Sequence, residues 1–203
     1  EICFNEDSAD IDFRVESNGN ANMLFVDGGN NHVNFGTATD YGGVVNIEST
    51  DNTSTLVLAC TDADGSVGPR MDLERDSSSP AADDTLGQIR WLGKDSGGAS
   101  LSYAHMATYI EDPTDGAEDG KFEIDTRIGG VSRSRLLIHS TATVFNQDGQ
   151  NVDFRVESDA NAHAIYLDAS TDKLGIGVSS PIARLSLPAQ ATGDSGIARI
   201  AIE

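Results

Sequence analysis

The chain is predicted to be all-β, an elongated array of short-strand modules built as an intertwined homotrimeric fibre. Three observations carry this expectation. Apolar residues alternate with polar or small ones at period two in eight places, clusters of Asp, Asn and Gly stand between them, and one block recurs without a gap 141 residues downstream. Period two places every second side chain on one face of a pleated strand.

Taken in chain order, the alternating pairs are Phe13/Val15, Val33/Phe35, Val45/Ile47, Met71/Leu73, Ile89/Trp91, Phe122/Ile124, Leu136/Ile138 and Leu185/Leu187. Cys3-Phe4 is expected to close the last strand of a preceding module. Turns are expected at Asp27-Gly28-Gly29-Asn30, Asp62-Ala63-Asp64-Gly65, Asp95-Ser96-Gly97-Gly98, Asp112-Pro113-Thr114-Asp115-Gly116 and Asp119-Gly120, because Asn, Asp and Gly tolerate the positive φ that tight hairpins require. No stretch keeps apolar residues at helical spacing for three turns. The best helical candidate, 102–110, is assigned to a strand by its flanking turns.

Residues 5–37 and 146–178 align at the fixed offset, with 12 of 33 positions identical. The identities include Asp12-Phe13-Arg14-Val15-Glu16-Ser17 and Asp153-Phe154-Arg155-Val156-Glu157-Ser158. Substitutions keep character, as in Leu24/Ile165, Phe25/Tyr166 and Val33/Leu174. This predicts the end of a module at 1–4, a small β repeat at 5–48, a larger β module at 49–145, a second small repeat at 146–188 and the start of a further module at 189–203. The last residues, Arg199-Ile200-Ala201-Ile202-Glu203, echo Arg70-Met71-Asp72-Leu73-Glu74. Both ends fall inside strand-like patterns, so a window on a longer array is expected.

Composition bounds the function. Lys and Arg number 13 against 33 Asp and Glu, a net charge of −20, so the basic face that nucleic-acid binding needs is absent. No apolar run approaches the ~18 residues that span a bilayer. Leu, Ile, Val and Phe make up 46 of 203 residues, a thin core of the kind that partner chains complete. An array of short strands also exposes its edges, and wrapping three chains round one axis removes them, though a sandwich would also serve. Cys3 and Cys60 form no Cys-x-x-Cys pair and are expected to be small buried hydrophobes.

The blocks DFRVES…NMLFVDGGNNHV and KLGIGVSSPIARLSL resemble the repeats of bacteriophage tail fibres, the marine ones above all. There the pattern runs approximately RVES-x-x-N-x-x-x-L-x-V-D-x-x-x-x-x-V-G-I-G-T-x-x-P-x-x-x-L-x-V. Residues 155–187 carry it here. The first copy departs from it, with Asn34-Phe35-Gly36 in place of Gly-Ile-Gly and no Pro after Thr37. The middle stretch, GPRMDLERDSSSPAADDTLGQIRWLGKDSGG and YAHMATYIEDPTDGAEDGKFEIDT, looks like these fibres too. Similar repeats occur in bacterial surface proteins. The resemblance implies a homotrimeric shaft on a virion, extracellular, joined to other fibre or tail proteins and carrying a receptor-binding tip elsewhere. It implies no residue-level binding site.

Several residues were candidates for chemistry. Gly193-Asp194-Ser195-Gly196 resembles the nucleophile segment of trypsin-like proteases, but no typical His motif precedes it; a turn explains it and Asp95-Ser96-Gly97-Gly98 equally well. Gly93-Lys94 lacks the glycine spacing of a phosphate loop. Asp112, Asp115 and Asp119, with Glu118, are weak candidates for a calcium site, as are Asp62 and Asp64; the complete calcium-loop pattern is missing and solvated turns are the plainer reading. His32, His105, His139 and His163 are scattered and read as surface or packing residues. Arg14 with Glu16, and Arg155 with Glu157, recur at one repeat position. A ligand site and an inter-chain ion pair fixing trimer register both fit them, and the ion pair is preferred. Trp91 is read as core, with sugar stacking as the alternative.

The expected function is structural: a shaft segment of a phage tail fibre linking the virion to its tip, with no cofactor and no catalysis. The alternative is a module that binds a host glycan or protein, in a fibre or a bacterial surface adhesin. A depolymerase would need carboxylates converging in a cleft, and no particular pair is marked for that role.

Overall fold

A computed structural model describes residues 3–5 and 7–188. Two compact units divide the chain, Glu1–Asp72 and Leu73–Glu203. The described residues form strands and no helix.

The first unit holds one antiparallel sheet with a parallel closing strand: β1 (Phe13–Val15), β2 (Leu24–Asp27), β3 (His32–Phe35) and β4 (Val45–Ile47), in that order. The second unit holds two sheets. Five long strands, β5 (Thr85–Lys94), β6 (Ser100–Asp112), β7 (Asp119–Ile128), β8 (Val131–His139) and β9 (Ala142–Phe145), form an antiparallel meander. Four more, β10 (Phe154–Ser158), β11 (Asn161–Asp168), β12 (Lys173–Gly175) and β13 (Leu185–Ser186), repeat the order and closing parallel pair of the first sheet.

The sequence repeat is a repeat of backbone. Positive φ at Asn5, Ser8, Asn31 and Gly36 recurs at Asn146, Gly149, Asp172 and Gly177. The identical residues are largely those that hold this path. The Asn5 amide brackets Ala9, donating to its carbonyl at 2.7 Å and accepting from its N–H at 3.0 Å; Asn146 brackets Gln150 at 2.7 and 3.1 Å. Asp12 Oδ1 accepts from Gly28 N–H at 3.1 Å, and Asp153 Oδ1 accepts from Ala169 N–H at 3.0 Å. Phe4 stacks on Phe13 with ring centroids 5.2 Å apart, and Phe145 on Phe154 at 5.1 Å.

Turn chemistry places the strands. Asp27 and Asp168 cap the β2–β3 and β11–β12 turns by accepting from Asn30 and Ser170 N–H, each at 2.9 Å. Gly129-Gly130, both at positive φ, make the two-residue β7–β8 hairpin. Asp95 Oδ1 accepts from Gly97 and Ala99 N–H in the β5–β6 turn.

Some expectations fail. Met71/Leu73 forms no strand, because among the described residues no backbone group there bonds to another backbone group. Asp119-Gly120 is no turn: it starts β7, paired with Asp112 and Ile110, and the turn is made upstream. Cys3 and Cys60 are both exposed, since neither lies on a covered strand face. Trp91 is 50% exposed, because its cross-strand neighbour Ala104 is too small to cover an indole. Gly193-Asp194-Ser195-Gly196 and the closing Arg199-Ile200-Ala201-Ile202-Glu203 lie outside the described residues.

Candidate functional site: three unpartnered apolar sheet faces

Residues directly opposite one another on paired strands share a sheet face. In the first sheet two complete rows are apolar, Phe13–Val26–Val33–Val45 and Val15–Leu24–Phe35–Ile47. The row between them, Arg14–Phe25–Asn34–Asn46, lies on the other face. The last sheet matches, with Phe154–Leu167–Leu174–Leu185 on one face and Arg155–Tyr166–Gly175–Ser186 on the other.

In the five-stranded sheet the row Ile89–Met106–Ile124–Leu136–Phe145 crosses every strand, and Gly87–Thr108–Phe122–Ile138–Thr143 lies beside it. Neither row holds a charge. Part of this face is covered within the unit. Leu73 lies against β5, where a Cβ on Gly87 would come within 2.9 Å of the leucine Cβ. Val152 and Phe154 share a concavity with Ile124, Leu136 and Phe145.

What is left uncovered decides the nature of the site. Ala107 is the one buried hydrophobic residue among those described, while Val45 is 57% and Phe145 57% exposed. Apolar faces of this extent mark surfaces that bind a partner.

The polar faces carry the candidate residues. Arg14 pairs with Glu16 at 2.6 Å within the chain, and Arg155 with Glu157 at the same distance, all four about half exposed. Tyr166 O–H donates to Asp153 at 2.8 Å, and this hydrogen bond to a carboxylate raises the Tyr166 pKa above the ordinary phenol value. Asp125 is buried; its Oδ2 accepts from Ser132 at 2.9 Å and lies 3.6 Å from His105 Nε2. The carboxylate stands between the serine and the histidine, so the histidine cannot take the serine's proton.

The acidic turns are occupied with their own backbone. Asp112 accepts from Thr114 N–H at 2.9 Å, hydrogen bonds from the Thr114 side chain and backbone hold its pKa below the usual carboxylate value, and Glu118 accepts from Gly116 N–H at 3.1 Å. Asp62 and Asp64 accept from Asp64 and Ser66 N–H in the same way. Among the described residues no three His, Cys, Asp or Glu side chains are grouped to hold a metal ion, so Asp112, Asp115 and Asp119 are not brought into one site. His32 lies 3.2 Å from Asp40, His139 3.5 Å from Glu111, and His163 packs edge-on to Tyr166. The cross-strand rows are visible only once strand register is known.

No helix among the described residues is long and apolar enough to cross a membrane. The chain matches no known protein-family model and no curated protein sequence.

Proposed function

We propose that this chain is a structural segment of a homotrimeric fibre, a shaft of the kind its sequence resembles in phage tail fibres, exposed on a virion and joined to further fibre or tail proteins. The observation that carries this reading is the run of apolar cross-strand rows left open on all three sheets. A thin-cored chain with one uncovered apolar face per sheet is completed most economically by identical chains, whose faces match its own by symmetry. Arg14, Glu16, Arg155 and Glu157 stand on the opposite faces, where their charges fix the register of neighbouring copies. Asp112, Glu118, Asp62 and Asp64 are committed to their own turns, and the role proposed is non-catalytic. The host-binding reading has no comparable support: Trp91, its best aromatic, lies in line with the apolar row and not in a polar groove.

Small-angle X-ray scattering of the 203-residue chain tests the reading. A rod-like particle with a cross-section larger than one chain is expected. A compact single-chain particle contradicts it.

A further inference from the structure

Between β4 and β5 the chain runs from Ile47 to Thr85 without a strand. Compact domains rarely contain so long a connection with no structure of its own. Yet the residues are not those of a linker. Thr55-Leu56-Val57-Leu58-Ala59-Cys60 is β-branched and apolar, with no Gly or Pro, and residues 56–63 run on without a bend. Leu56, Val57 and Leu58 are 61%, 69% and 51% exposed.

The backbone of this stretch is equally unpartnered. Among the described residues, no backbone N–H or C=O of residues 49–80 bonds to another backbone group. The side chains that cap backbone there, Ser49, Asp51, Asp62, Asp64 and Ser77, do so outside the 56–60 run; the exception, Cys60 Sγ, accepts weakly from Asp62 N–H at 3.5 Å. A strand-forming, straight, apolar segment with both hydrogen-bonding edges open among the described residues is a strand lacking its sheet.

We propose that residues 56–60 form a β-strand only in the assembled fibre, pairing through the backbone with a strand of another copy of this chain. This rests on the homotrimeric reading above and adds its mode of contact: exchange of strands, not only the meeting of faces. The occupant is a second copy because the strand rows that the chain leaves open on the five-stranded sheet are as uncharged as this segment, so the two meet without opposing charge although each chain carries −20. Backbone pairing supplies the affinity, as in other strand-addition complexes.

Hydrogen–deuterium exchange of the full chain, with its mass measured by light scattering on the same sample, tests this. A trimer in which the amides of 56–60 exchange about 100-fold or more slower than a free peptide is expected. A trimer with free-peptide exchange there overturns the strand proposal and leaves the fibre reading standing. A monomer overturns both, and a monomer with slow exchange shows that the segment is covered within its own chain. Proline provides the second test. Strand pairing uses alternate N–H groups on one edge, so Val57→Pro and Leu58→Pro are made separately. One of the two is expected to reduce the particle to single-chain mass while the far-ultraviolet β signal is retained; if both keep the trimer, the proposal fails.

Discussion

Glycine conservation within the repeat has a local cause that single substitutions can read. Gly36 has φ +82°, and a Cβ there would lie 2.5 Å from the Glu48 carbonyl oxygen. Its counterpart is Gly177, also at positive φ. Gly36→Ala is therefore expected to destabilise the first unit by about 1–3 kcal/mol in urea unfolding. Gly19 has open space where its Cβ would be, and the second copy has Ala160 at that position. Gly19→Ala is expected to be neutral by the same measurement. A second residue-scale prediction concerns acid. Asp168 is held below the usual carboxylate pKa by hydrogen bonds from Ser170 and Thr171, and Asp27 by those from Asn30. A depressed folded pKa contributes stability that is present above the unfolded value of about 3.9 and is lost as pH falls through the folded one. Asp168→Asn is expected to flatten the acid limb of the melting-temperature profile and to leave its shape at neutral pH unchanged. An unaltered acid limb would show that this turn does not contribute to it.

At the scale of elements, the tie between β3 and β4 distinguishes the two repeats. Asn34 is fully buried, and its Oδ1 accepts from Asn46 Nδ2 at 2.7 Å, while its own Nδ2 has no partner among the described residues. The second copy has Gly175 and Ser186 in these places. Asn46→Ala is expected to cost about 1–3 kcal/mol, because it leaves a buried amide without its one partner. Adding Asn34→Gly to an Asn46→Ser variant is expected to recover part of the loss; a strictly additive double mutant would show that the pair is not coupled. The elements were readable in the sequence where an alternating run has its partner strand in the same chain. Phe13/Val15, Val33/Phe35, Phe122/Ile124 and Leu136/Ile138 all become strands, and the repeat predicts the matched backbone of its two copies. Met71/Leu73 alternates as clearly and forms none, since alternation records which face a segment can bury and not whether a neighbour exists. Gly129-Gly130 closes its hairpin with the two glycines alone, both at positive φ. The apolar rows were legible strand by strand but not across strands, because register depends on turns and on bulges such as that between Ile124 and Asp125.

For the molecule as a whole, net charge and open apolar faces pull in opposite directions. A net charge of −20 drives copies apart, yet residues such as Val45 and Phe145, each 57% exposed, leave apolar strand faces open. The two uncharged rows of the five-stranded sheet are where acidic copies can meet without opposing charge. Raising salt is therefore expected to strengthen association by screening the acidic surfaces, which dilution experiments at low and high ionic strength can follow. Weakening by salt would mean that attractive ion pairs hold the copies together. Light scattering behind size exclusion on the 203-residue chain reads whether copies complete one another: completion by three copies gives a particle of about 64 kDa, three times the 21.4 kDa chain, and a stable 21.4 kDa monomer with its apolar rows exposed rules it out.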